Sequence, residues 1–131
     1  FYWEPRWFRV THHRIALTNW QRSRPIRVLH LSDLHASVPV PLHLIQQAVE
    51  LAVAQRPDVV CLTGDFVTDR HGFVVKDYAS VLANLVRKAP VYAVLGNHDG
   101  GRWAGENGGA ATPQAVLDVL EQAGVSLLHN D

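Results

Sequence analysis

Three short polar segments recur at equal intervals along the chain, and each directly follows an apolar run. Asp33, Asp65 and Asn97 are successively 32 positions apart. Such an interval is about what one strand, a crossover helix and the next parallel strand require. Parallel strands end at one edge of a sheet, where open α/β sheets bind their ligands. The spacing therefore predicts an α/β fold with a βαβαβ core that gathers the three segments: Ser32–His35, Thr63–Asp65 and Gly96–Asp99.

The apolar runs and the periodicity between them predict the individual elements. In the first predicted helix, Leu42, Ile45, Val49 and Val53 recur at the spacing of one helix face. Thr112 and Pro113 are typical of a helix start, and Gly124 of a helix end. Strands are predicted at 26–31, 59–62, 91–95 and 125–128, and helices at 42–55, 76–88 and 113–123.

The first 25 residues differ from the rest of the chain. Two β-leaning pieces, 9–11 and 15–18, flank a pair of histidines and predict a β-hairpin extension over residues 1–25. Aromatic residues crowd its beginning. Two interpretations stay open for them: packing against the domain, or a position near a membrane surface, where tryptophan and tyrosine are common.

Composition excludes some classes of function. The chain has 131 residues with 12 basic and 12 acidic side chains, so no overall field favours nucleic acid, and no nucleic-acid partner is predicted. A single cysteine, Cys61, excludes an internal disulfide. The chain begins at Phe1 and has no methionine, which indicates a piece of a longer protein. The sequence consequently does not assign a cellular compartment.

The polar segments carry residue types that bind metal ions. Asp33 and His35 are two positions apart, so at an extended strand end both side chains point to one side and can bind one cation. Asp65 has two carboxylate oxygens and can bridge two cations, as paired metal sites require. Asn97 can give its amide oxygen to the second ion. The pattern predicts a site for two divalent metal ions.

A count of charges indicates what such a site would do. Two divalent ions bring more positive charge than two carboxylates neutralise, and the surplus would attract and polarise a phosphate ester. It would also lower the pKa of a bound water to about 7. His98 can donate a proton to the leaving oxygen. Asp99 has two open interpretations, orienting the His98 ring or capping the loop, and the glycine-rich segment 96–109 is either a mobile lid or a plain surface loop.

Together these segments resemble the calcineurin-like metallophosphoesterases. Asp33-Leu34-His35, Gly64-Asp65 and Gly96-Asn97-His98-Asp99 are similar to that family's Asp-x-His, Gly-Asp and Gly-Asn-His-Asp/Glu blocks. The resemblance implies that residues 26–131 are the N-terminal half of a four-layer α/β/β/α sandwich. It also implies hydrolysis of phosphoester or pyrophosphate bonds by a metal-bound hydroxide, with manganese, iron or zinc. The implied roles are Asp33 and His35 on the first metal, Asp65 bridging, Asn97 on the second, and His98 as proton donor.

The segment from Glu4 to His35 resembles a bacterial branch of membrane-associated or exported phosphodiesterases and UDP-2,3-diacylglucosamine hydrolases. That branch implies a small-molecule or lipid-linked phosphoester substrate and peripheral membrane association. One departure is an extra residue before Asp69 and Arg70, so neither is given a role. Another is that the family's later histidine blocks are absent from the chain. The alternative is therefore a catalytically silent metal-binding fragment or scaffold, or an enzyme completed by another chain, and self-association through the cut face is expected.

Overall fold

A parallel four-stranded sheet is the framework of this protein, in a computed structural model that describes residues 8–21, 24–68 and 73–129. The strands lie side by side in chain order, and every neighbouring pair is parallel. This confirms the predicted α/β fold and its βαβαβ core. The elements are β1 (Val28–Leu31), α1 (Leu42–Ala54), β2 (Val59–Thr63), α2 (Val75–Val86), β3 (Val91–Val94), α3 (Arg102–Glu106), α4 (Gln114–Ala123) and β4 (Ser126–Leu127).

One face of the sheet is buried beneath α1, α2 and α4. Side chains alternate between the two faces of a strand, and Val60, Leu62, Val91 and Ala93 all point into the helical layer and are buried. Helix α2 lies between α1 and α4 and packs against both. Full burial of each large aliphatic side chain contributes roughly 1.5–3 kcal/mol. The core is therefore formed between one sheet face and one layer of helices.

The opposite face of the sheet is open in the described residues. Val28, Tyr92 and Val94 point outward and expose 59%, 40% and 39% of their surface. Cys61 lies on the same face, because it pairs in register with Tyr92 of the neighbouring strand. We call this apolar surface of β1, β2 and β3 the open face.

The predicted β-hairpin is not formed in the part of residues 1–25 that the structure describes, 8–21 and 24–25. Residues 17–20 make a turn, in which the Trp20 N–H donates to the Leu17 carbonyl at 3.3 Å, but no strand is present there. Ile15 and Leu17 are 80% and 61% exposed. An isolated two-stranded hairpin is marginal in water without an apolar surface to cover it. The division of the chain at residue 25 stays a prediction.

The glycine-rich segment 96–109 contains a short helix that periodicity did not predict. Helix α3 has five residues, too few to show a helical repeat in the sequence. The segment is tied back on itself, since the Ala110 N–H donates to the His98 carbonyl at 2.9 Å. Helix α4 begins one residue later than predicted, with Pro113 as its N-cap. None of the helices in the described ranges is long and apolar enough to cross a membrane.

Candidate metal centre

The backbone continues to pair beyond the ends of β1 and β2. The His35 N–H donates to the Asp65 carbonyl at 2.9 Å, and the Ala36 N–H donates to the Phe66 carbonyl at 2.9 Å. One residue further on, Ala36 and Val67 form a parallel bridge. The two polar segments are therefore held side by side by main-chain hydrogen bonds, and the positions of their side chains follow from the sheet.

Two glycines allow the second and third segments to touch. Gly64 has a φ of +72°, and a Cβ on it would lie 2.5 Å from the Cα of Gly96. A Cβ on Gly96 would overlap the Asp65 carboxylate. A side chain on Gly64 would therefore separate the two segments, and one on Gly96 would displace Asp65. Glycine serves here to permit close backbone approach.

Left-handed backbone conformations, and not an extended strand, bring Asp33 and His35 together. Asp33, His35 and Asp65 have φ values of 55°, 47° and 52°. The prediction that strand alternation would place both side chains on one side was therefore wrong in its geometry, although the two side chains do meet. Non-glycine residues at positive φ are uncommon and persist where the surroundings hold them. His35 is held by its N–H bond to Asp65 and by the Ser37 hydroxyl, which donates to the His35 carbonyl at 2.9 Å.

Three of the predicted ligands form one cluster. His35 Nε2 lies 3.7 Å from Asp33 Oδ1 and 3.9 Å from Asp65 Oδ2. One ligand atom from each residue lies within 4.8 Å of the other two. Within the described ranges no lysine or arginine pairs with either carboxylate. Two carboxylates and an imidazole without a cationic partner are a donor set that fits a divalent transition-metal ion.

The third segment closes the site beside Asp65. The His98 N–H donates to Asp65 Oδ1 at 2.9 Å, and Asn97 lies exposed in the turn just before it. The His98 ring stands edge-on to the His35 ring, with centroids 5.3 Å apart. Its Nδ1 is buried and has no hydrogen-bond partner among the residues that the structure describes. Buried polar atoms of this kind are rare and concentrate where a ligand or ion completes a site.

Asp99 caps the loop, which is the second of its two predicted interpretations. Its side chain is fully buried, and the carboxylate accepts backbone N–H groups from Phe66 at 2.7 Å, Val67 at 3.3 Å and Gly96 at 2.8 Å. None of the hydrogen bonds among the described residues joins Asp99 to the His98 ring. The first interpretation, Asp99 as the orienting partner of that ring, stays a prediction.

The buried position of Asp99 also affects its ionisation. Burial raises the pKa of the Asp99 carboxyl above its ordinary value, and the nearby charge of Asp65 acts in the same direction. The backbone N–H donors oppose this rise in pKa because they stabilise the carboxylate. Asp99 thus places a third acidic group beneath the cluster without being exposed to it.

Sequence reasoning missed two neighbours of the cluster. Thr68 Oγ1 lies 2.8 Å from His35 Nδ1, and the Trp103 ring stands edge-on to His98 at 5.3 Å. The available signal for Thr68 was the extra residue in its block, which was noted only as a departure. Asp69, Arg70 and His71, also considered from the sequence, lie outside the described residues.

Comparison with known proteins identifies relatives of this site and fold. The sequence profile of a family described as Calcineurin-like phosphoesterase matches residues 26–130. Phosphodiesterase YaeI of Escherichia coli is 35% identical over 129 residues, which cover 98% of this chain and 45% of that protein. A transmembrane protein with metallophosphoesterase domain from Danio rerio is 28% identical over 105 residues, 80% of this chain and 22% of its own length. The chain spans less than half the length of these relatives.

Proposed function

This chain belongs to the calcineurin-like phosphoesterase family, and we propose that it is part of an enzyme that hydrolyses phosphoester bonds with two divalent metal ions. The observation that carries the proposal is the cluster of Asp33, His35 and Asp65 at the carboxyl edge of the sheet. The alternation of strands and helices brings these residues together although they are far apart in the chain. Their donor atoms match the chemistry of the family.

The proposed roles follow the order of the segments. Asp33 and His35 would hold the first ion, Asp65 would contact both, and Asn97 would hold the second through its amide oxygen. When bound, divalent ions polarise the phosphoryl group and make water acidic enough to ionise near neutral pH. His98 would donate a proton to the leaving oxygen, and its ring position beside His35 supports this role. Manganese, iron and zinc all suit these ligands.

We propose a bacterial small-molecule or lipid-linked phosphoester as the substrate. The similarity to the E. coli phosphodiesterase supports the diester class and a bacterial origin. Residues 8–21 support membrane association at the periphery, because Ile15, Leu17 and Trp20 are exposed there among basic residues such as Arg9 and Arg14. Residues 1–25 would then be an extension that contacts lipid, and residues 26–131 the beginning of the catalytic domain.

A second candidate function is a catalytically silent metal-binding fragment or scaffold that another chain completes. The observation in its favour is the size of the cluster: within the described ranges it offers three histidine and carboxylate ligands, fewer than two ions need. The chain also spans 45% of its E. coli relative. Under this alternative one ion binds and no turnover follows.

Hydrolysis of bis-p-nitrophenyl phosphate by the 131-residue chain, with manganese, zinc or iron added and with none, separates the two functions. For the enzyme we expect turnover that requires metal and falls roughly 100-fold or more in His35→Ala, because the variant lacks a proposed ligand of the first ion. His43→Ala is the matched control, because His43 is exposed on α1, and it should keep full activity. Metal binding without turnover at any of the three metals would instead favour the fragment.

The open face supports a further proposal, that two copies of the chain associate through it. Val28, Tyr92 and Val94 are exposed there at three strand positions of one sheet face, together with His30 and Thr63, and exposed apolar side chains on one face are typical of association sites. We expect a dimer in sedimentation, and Tyr92→Lys should shift it to a monomer.

Addition of anionic vesicles in the same experiment tests the proposed lipid contact of residues 8–21. Trp20→Ser should weaken co-sedimentation of the chain with the vesicles. A monodisperse wild-type monomer would contradict the proposed dimer, and a chain that does not co-sediment with vesicles would contradict the proposed lipid contact.

A further inference from the structure

We propose that Thr68 is a positioning residue, which holds the His35 ring so that Nε2 faces the metal site. The inference rests on the proposed function, because it assigns His35 as a ligand. It concerns a residue outside the three polar segments Ser32–His35, Thr63–Asp65 and Gly96–Asp99. Thr68 does not itself touch the predicted ions; it acts through the imidazole.

The two ring nitrogens of His35 face different neighbours. Nδ1 lies 2.8 Å from Thr68 Oγ1, while Nε2 lies 3.7 Å from Asp33 Oδ1 and 3.9 Å from Asp65 Oδ2. The hydroxyl is therefore on the far side of the ring from the two carboxylates. A hydrogen bond at Nδ1 restricts rotation of the ring, so the direction of the Nε2 lone pair is fixed by Thr68.

The chemistry of imidazole makes this contact relevant to metal binding. A neutral ring carries one proton, and the nitrogen that binds a cation must be the unprotonated one. With a cation on Nε2 the proton is on Nδ1, where the Thr68 hydroxyl can accept it. Histidine ligands in metal sites almost always donate their second N–H to a carboxylate, a backbone carbonyl or water, and loss of such an outer partner typically weakens metal binding 10–100-fold. The Thr68 hydroxyl is an oxygen acceptor in the same position.

The backbone of Thr68 is held as firmly as that of His35. The Thr68 N–H donates to the Ala36 carbonyl at 3.3 Å, directly beyond the bridge between Ala36 and Val67. A β-branched side chain has few rotamers, so a fixed backbone also fixes the hydroxyl. The second block, which carries the extra residue, stays paired to the first block as far as Thr68. This pairing holds the Thr68 side chain next to the first block.

The contact would have the opposite effect on metal binding if its hydrogen bond ran in the other direction. If the hydroxyl donated to Nδ1, the ring proton would be on Nε2, pointed at the carboxylates, and the Thr68 contact would compete with metal binding. Removal of the hydroxyl would then leave metal affinity unchanged or raise it. The sign of the change in affinity therefore separates the two arrangements.

The test is a calorimetric titration of the 131-residue chain with Mn²⁺ alone. Thr68→Val keeps the shape and removes the hydroxyl, and we expect it to weaken binding about 10–100-fold. Thr68→Ser restores the hydroxyl and should recover affinity to within about threefold, which a purely structural role would not require. The control is Ser80→Ala, because the Ser80 hydroxyl is also hydrogen-bonded, donating to the Lys76 carbonyl at 2.8 Å, but lies exposed on α2 outside the polar segments. It should bind Mn²⁺ like the wild type.

Thermal melting of the metal-free variants accompanies the titration, and the melting temperature of Thr68→Val should match that of Thr68→Ser. Binding by Thr68→Val equal to or tighter than the wild type would overturn the inference and leave the proposed function standing. A wild-type titration that Asp65→Asn does not change would overturn the metal site itself, and this inference with it. The two failures are thus distinguishable in one series.

Discussion

Asp65→Asn is expected to weaken Mn²⁺ binding more than about 100-fold while it leaves the melting temperature of the metal-free chain unchanged or slightly raised. The substitution removes one negative charge from the centre of the cluster, where Oδ2 lies 3.9 Å from His35 Nε2. Loss of a direct ligand should exceed the 10–100-fold effect typical of an outer partner. Isothermal titration and thermal melting are the two measurements.

The fold should tolerate this substitution for two local reasons. Asparagine can keep its side-chain oxygen as the acceptor for the His98 N–H, the role that Asp65 Oδ1 fills at 2.9 Å. Asparagine also adopts positive φ more readily than most residues, and Asp65 has a φ of 52°. Removing the Asp65 charge relieves its repulsion of the buried Asp99, whose pKa that charge raises.

The matched control is Asp77→Asn, the same chemical change at an exposed position in the first turn of α2. It should leave Mn²⁺ binding unchanged. If Asp65→Asn binds Mn²⁺ as tightly as this control does, the carboxylate is not a ligand. If it instead unfolds the chain, Asp65 is structural, and its place in the cluster has another reason.

Asp99→Ala is expected to lower the free energy of unfolding by about 3–9 kcal/mol, the largest effect on stability that the site predicts. In the wild type, the backbone N–H groups of Phe66, Val67 and Gly96 all donate to the Asp99 carboxylate. The substitution leaves these N–H groups without an acceptor. Each buried donor without a partner costs about 1–3 kcal/mol. Small domains have about 5–15 kcal/mol in total, so the loss is a large fraction. Urea unfolding measures it.

Asp99→Asn should be intermediate in stability. Its amide has one oxygen that can still accept, but its NH₂ group would face N–H donors where Asp99 now presents a second acceptor. Asp77→Ala is the control, because Asp77 is exposed and its loss should change stability by less than about 1 kcal/mol. Equal stability of Asp99→Ala and this control would show that the three N–H groups find water in place of the carboxylate.

The sequence predicted the layout of the fold because the layout depends on patterns that extend over many residues. Leu42, Ile45, Val49 and Val53 repeat along α1, and the apolar runs of β2 and β3 precede the polar segments. Equal spacing placed Asp33, His35 and Asp65 at one edge, which the structure bears out as a cluster. These are consequences of burial and strand order, and they do not depend on the details of any one side chain.

Local geometry could not be predicted in the same way. Aspartate and histidine adopt positive φ more often than most residues, but this preference does not say that Asp33 and His35 do so, and hydrogen bonds to the neighbouring segment hold them there. The contact of Thr68 with His35 depends on where the backbone of a loop is hydrogen-bonded. The burial of the Asp99 carboxylate depends on which backbone N–H groups need an acceptor. The hairpin of residues 1–25 was predicted from β propensity alone, and propensity without a surface to pack on does not form strands.

Two hydrogen bonds join the loops after β2 and β3, and each loop donates one of them to the other. Asp65 accepts from the backbone of His98, and Asp99 accepts from the backbone of Phe66. Each loop therefore supplies a hydrogen bond that holds the other, and the position of Asp65 depends on residues of both. We expect a chain shortened before Asp99 to lack this exchange, so the candidate metal centre would not be fully held by β1 and β2 alone.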